Sequence, residues 1–146
     1  MEVEKDNDLI RAALDLVQNG QDFALAIVIE TWGSSPRQAG SFMLISQDGH
    51  IAGSVSGGCV EADVIMEAHE VMNNGASKVL TFGVSDETAW VSGLSCGGTI
   101  KVFICSKKNI QKDLFSRIHR TEQTKTNISL VCNLDTGEVG ETARIV

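Results

Sequence analysis

The sequence predicts an α/β fold: a mixed sheet of about five strands flanked by helices, with glycine-cysteine loops at one edge. Two observations point to the elements. Apolar residues recur at helical spacing over 8–19 and 59–73. Short runs rich in β-branched residues occupy 23–31, 41–46, 51–55, 78–84 and 99–105. A third observation points to the loops. Glycine, serine and the single proline cluster between these runs, where neither element can continue.

The elements follow in order. Leu9, Ile10, Ala13, Leu14, Leu16 and Val17 form an apolar stripe, with Asp6 or Asn7 as cap and Gly20 just past the end. "FALAIVIET" at 23–31 is continuous, apolar and short, which fits a strand buried on both faces. "WGSSPRQAG" at 32–40 is a loop at the end of that strand, where α/β proteins tend to place ligands. "SFMLIS", "QDGH" and "IAGSV" read as a hairpin turning at Asp48-Gly49. A helix then carries Val60, Val64, Ile65, Ala68, Val71 and Met72 on one face and stops at Gly75. "KVLTFGV" and "TIKVFIC" are strands, separated by the polar, glycine-rich segment 85–98.

At 146 residues the chain has room for one ordinary domain, expected over 1–106. The charged stretch 107–126, with Ile110, Leu114, Phe115 and Ile118 as its apolar positions, is expected to be a linker helix. Residues 127–146 read as a strand, a turn at Asp135-Thr136-Gly137 and a second strand, either extending the main sheet or starting a second element.

The net charge of −7 argues against a nucleic-acid partner, which would need a basic face. It leaves room for a small anion held by local backbone dipoles. No apolar run approaches the roughly 20 residues of a membrane span, and "MEVEKDNDLI" is too acidic for a signal or transit peptide. Four cysteines without CxxC spacing suggest reduced thiols and a cytoplasmic protein.

Two phrases carry the chemistry: "GSVSGGCVE" at 53–61 and "GLSCGG" at 93–98, which together hold six of the 14 glycines. In the first, Gly57 and Gly58 allow a sharp turn and close approach of a ligand to bare N–H groups. Cys59 beside a helix N-terminus is placed to be an ionised, reactive thiol. Ser54 and Ser56 can add hydroxyl donors, and Glu61 and Asp63 fall in the first helical turn. Taken alone, the phrase reads sooner as a tight hairpin exit with a small buried cysteine. Its near-repetition at Cys96-Gly97-Gly98 favours a shared pocket. Ser34, Ser35 and Arg37 supply a third wall, and Arg37 can bind phosphate in a fork geometry. Cys105 and Cys132 lie in strand-like runs and belong to the core. Trp32 and Trp90 flank the loops and fit either a planar ligand or core packing. The P-loop and GxGxxG patterns are absent, and His50, His69 and His119 have no metal-ligand spacing with the cysteines.

The ordered set "GSSPRQAGSFML", "DGHIAGSVSGGCVEADV" and "GLSCGG" resembles the XdhC/CoxI family, accessory proteins of molybdenum hydroxylases, over about residues 9–105. The resemblance implies a protein that binds the molybdenum cofactor, in its molybdopterin form or as the dinucleotide. It further implies sulfuration with a cysteine desulfurase and delivery to a hydroxylase apoenzyme, by a chaperone rather than an enzyme. Ser34, Ser35, Arg37, Ser54, Ser56, Gly57, Gly58, Cys59, Glu61, Cys96, Gly97 and Gly98 are then the cofactor-binding set, with Cys59 and Cys96 as thiolates for the soft metal. Two other readings stand beside it: a thiol enzyme or persulfide carrier using Cys59, and a docking module that binds no cofactor. Long members of the family continue into a C-terminal Rossmann-like domain. A chain ending at 146 implies either a short member paired with a separate Rossmann-domain chain or a fragment. A homodimer is a further expectation.

Overall fold

Phe23–Trp32 forms the middle strand of the molecule, and its first six residues are buried. This follows from a run that is apolar at odd and even positions alike. In the computed structural model, which describes residues 2–32, 38–56, 60–83, 98–124 and 127–144, the chain order is α1 (Glu2–Gln18), β1 (Phe23–Trp32), β2 (Phe42–Ser46), β3 (Ile51–Gly53), α2 (Glu61–Asn74), β4 (Lys78–Phe82), β5 (Thr99–Ser106), α3 (Leu114–Thr124), β6 (Asn127–Cys132) and β7 (Val139–Arg144). A short 3₁₀ turn at Lys107–Asn109 joins β5 to α3.

The main sheet has five strands in the order β3-β2-β1-β5-β4. Every pairing is antiparallel, so the sheet is not mixed. The physical reason is where α2 crosses. It carries the chain from β3 at one edge to β4 at the other. The two strands that such a crossover makes parallel are separated by three others and never pair.

Side-chain alternation divides the core into two layers. Ala24, Ala26, Val28, Met43, Ile45, Ile100, Val102 and Ile104 pack with Val60, Val64, Ala68, Val71 and Met72 of the α2 side. Phe23, Leu25, Ile27, Phe42, Leu44, Phe103 and Cys105 pack with Leu9, Ile10 and Ala13 of α1 and with Leu114 and Phe115 of α3. The segment expected as a linker helix therefore closes the second layer. The Phe23 and Phe115 rings lie 5.9 Å apart at 58°. β6 and β7 form a separate two-stranded ladder, tied back through an Ile110–Val139 bridge and the buried side chain of Val139.

Both expected glycine stops are present. Gly20 has φ 68° after α1, and Gly75 has φ 73° and donates its N–H to the Val71 carbonyl at the end of α2. The start of α1 differs from expectation. The helix begins at Glu2, so Asp6 and Asn7 lie inside it rather than capping it. Glu2, Glu4 and Lys5 are good helix formers and allow the extension.

Candidate functional site

The antiparallel order has a direct consequence for the loops. β1, β3 and β4 run toward the same end of the sheet, and β2 and β5 start there. Trp32 pairs with Thr99, Phe82 with Ile100, and Gly53 with Met43. The residues that bracket the Arg37 segment, the Cys59 segment and the Cys96 segment therefore all lie at one end. The candidate positions divide accordingly: Ser54, Ser56, Glu61 and Gly98 are described there, while Ser34, Ser35, Arg37, Gly57, Gly58, Cys59, Cys96, Gly97 and Trp90 lie outside the described residues.

Glu61 is the organising group of the described part. It is the first residue of α2, and its carboxylate reaches back over the segment that precedes the helix. Oε1 accepts from the Ser54 hydroxyl at 2.9 Å, the Val55 N–H at 3.2 Å and the Ser56 N–H at 2.8 Å. Oε2 accepts from the Ser56 hydroxyl at 2.6 Å. The Ser56 Oγ in turn accepts the Val60 N–H at 2.9 Å. Val55, Ser56 and Val60 are buried, so these donors need internal partners. Gly57-Gly58-Cys59 is thus bracketed by two residues joined by a hydrogen bond.

This bonding changes the reading of three side chains. The Ser54 and Ser56 hydroxyls donate to Glu61, and the Glu61 carboxylate accepts from them and from two backbone N–H groups. The first turn of α2 also carries Asp63 as well as Glu61. Two carboxylates offset the partial positive charge of the helix end, which makes it a poorer phosphate site than a bare terminus.

Gly53, the last residue of β3, shapes the entry to this segment. Its φ is +82°, and a Cβ there would stand 2.3 Å from the Phe42 carbonyl oxygen. Only glycine allows that approach.

A second cluster at this end joins Trp32 to two charged residues that the sequence did not single out, Glu30 and Lys101. The register of β1 shifts between Val28 and Glu30, a bulge that places Glu30 and Trp32 opposite Lys101 and Thr99. Lys101 Nζ lies 3.7 Å from the Glu30 carboxylate and 5.8 Å from the Trp32 ring centroid. Trp32 is 50% exposed, so it is not a core residue. The available signal was the period-two pattern of 99–105, which sets Thr99 and Lys101 on the face opposite Ile100 and Val102.

Cys105 and Cys132 are free thiols. Burial, helped by the neighbouring Cys132, pushes the Cys105 thiol up to about 12, and burial also raises Cys132. Both are poor nucleophiles at neutral pH. A cleft of about 300 Å³ opens between α1 and α3, lined by Leu14, Val17, Phe23, Ile110, Leu114 and Phe115 among others. It lies at the opposite end of the sheet and has no thiol in its wall, so it does not suit a soft metal centre. No group of three or more metal-ligating side chains occurs among the described residues. Among the same residues no helix is long and apolar enough to cross a membrane.

Comparison with known proteins places these features in context. Residues 16–83 match the model of the XdhC and CoxI family. The chain is 32% identical over 118 residues to the molybdenum cofactor insertion chaperone PaoD of Escherichia coli, covering 80% of this chain and 36% of that protein. It is 32% identical over 89 residues to a probable xanthine dehydrogenase subunit of Bacillus subtilis, covering 60% of this chain and 27% of that protein. A crystal structure described as a xanthine dehydrogenase from Bacillus halodurans superposes with a TM-score of 0.72 at 26% identity, over 97% of this chain and 42% of that one. The chain thus spans about a third of the length of the curated relatives it matches, 36% and 27%.

Proposed function

From the match of residues 16–83 to the XdhC and CoxI family, we propose that the chain is an accessory protein of that family that holds the molybdenum cofactor for a molybdenum hydroxylase. The observation that carries this reading is that the residues bracketing the three loops all lie at one end of the sheet. The names of the relatives, a cofactor insertion chaperone and a xanthine dehydrogenase subunit, point to the same chemistry.

The donor set fits the ligand. When bound, the cofactor supplies a soft metal-dithiolene centre, a planar pterin and a phosphate. Cys59 and Cys96 would meet the soft metal as thiolates. Arg37 and the glycine N–H groups of the loops would take the phosphate. The carboxylates of Glu61 and Asp63 in the first turn of α2 direct that phosphate away from the helix end. Ser34, Ser35, Gly57, Gly58, Gly97 and Gly98 would shape the backbone around the ligand. Sulfuration with a cysteine desulfurase, transfer to the apoenzyme, a separate Rossmann-domain chain and a homodimer belong to this proposal, as does a cytoplasmic location.

Anaerobic purification from a molybdenum-replete host tests it, with metal analysis and fluorescence of the oxidised pterin. Wild type should carry molybdopterin, and Cys59→Ala and Cys96→Ala should carry less. Absence of pterin from wild type, under conditions where a known carrier retains it, would sink the reading.

A further inference from the structure

We infer that Glu61 is a positioning residue: its carboxylate clamps residues 54–56 to the start of α2 and so holds the two flanks of Gly57-Gly58-Cys59 in place. The inference rests on the reading of 57–59 as part of the cofactor site. It departs from any view of Glu61 as a cofactor ligand or proton carrier.

The geometry is specific. Four donors converge on one carboxylate, at 2.9, 3.2, 2.8 and 2.6 Å. Two are backbone N–H groups of fully buried residues, which have no water to fall back on. A carboxylate is the one side-chain group that accepts at both oxygens and donates at neither. Charge-assisted bonds of this kind are stronger than neutral ones. Because Glu61 is the first residue of α2, the clamp couples the loop to the rigid helix. The Ser56 hydroxyl extends the coupling by taking the Val60 N–H, so both brackets of 57–59 are held by one network. Gly53 enters the same segment under its own steric restriction from Phe42.

The test uses Glu61→Gln and Glu61→Ala with two readouts. The first is amide hydrogen exchange at Val55 and Ser56 in cofactor-free protein. The second is molybdopterin retained per chain after anaerobic purification. Glu61→Ala should speed exchange at both amides by about tenfold or more. Glu61→Gln, of nearly the same volume, should have a smaller effect, because its amide oxygen still accepts while its NH₂ cannot accept the Ser56 hydroxyl proton. Retention should fall in the same order. A loss in Glu61→Gln reports bonding rather than bulk, and that variant carries the test if the alanine variant does not fold. Wild-type exchange rates in both variants would overturn the clamp. Faster exchange with unchanged retention would overturn the positioning role. If wild type itself retains no molybdopterin, the cofactor reading fails, and the exchange rates alone decide whether Glu61 clamps the segment.

Discussion

Cys105 and Glu61 show how far burial and bonding decide what a reactive residue type can do. The Cys105 thiol is fully buried and held near 12, so it stays protonated and unreactive at neutral pH. Alkylation of native protein at pH 8, followed by peptide mapping, should leave Cys105 unmodified until denaturant is added. Rapid native labelling of Cys105 would show that the second core layer is not closed. Asp48, in the β2–β3 turn, is shifted the other way. Hydrogen bonds from the Ser46 hydroxyl and from His50 hold its carboxyl well below the ordinary 3.8, at about 2. The folded value is depressed. The turn is therefore supported above the unfolded value, and that support is lost as pH falls from about 4 toward 2. An NMR titration of the Asp48 carboxyl carbon should give a midpoint near 2, moving toward 3.8 in Ser46→Ala. A midpoint of 3.8 in wild type would refute the bonding described.

At the scale of elements, the strands were legible because their signals are local. The continuous apolar run at 23–31, the Asp48-Gly49 turn and the stop at Gly75 each depend on a few neighbouring residues. Two features were not legible, for physical reasons. The bulge after Val28 depends on pairing with β5, far along the chain. The Glu61 network joins residues five to seven apart through a non-repeating loop, which has no periodic signature. Gly53 is where local geometry and the site meet. Gly53→Ala should cost about 2 kcal/mol or more, since a Cβ would meet the Phe42 carbonyl at 2.3 Å in a left-handed backbone. Urea unfolding measures this, and an unchanged midpoint would contradict the close approach. α3 makes a parallel case. Leu114 is 1% exposed, and Leu114→Ala should destabilise by about 2–5 kcal/mol. Loss of that size in a single transition would place α3 in the same cooperative unit as the sheet. A negligible loss would make it the linker its charged sequence suggests.

For the whole molecule, strand order is the decisive property, and it lay beyond the sequence. An α2 crossover that skips three strands is set by packing between distant segments, not by any one run. Its result is that the residues flanking the Arg37, Cys59 and Cys96 segments lie at one end of the sheet, while the 300 Å³ cleft between α1 and α3 opens at the other. The glycine-cysteine phrases stand out in the sequence, and that their flanking residues share one end of the sheet came only with the fold. The most direct test compares alkylation rates of Cys59 and Cys96 with and without added molybdopterin, using Cys105 as the internal reference. The account predicts that molybdopterin slows both rates together and leaves Cys105 unmodified throughout. Identical rates for Cys59 and Cys96 in the presence and absence of molybdopterin would contradict it.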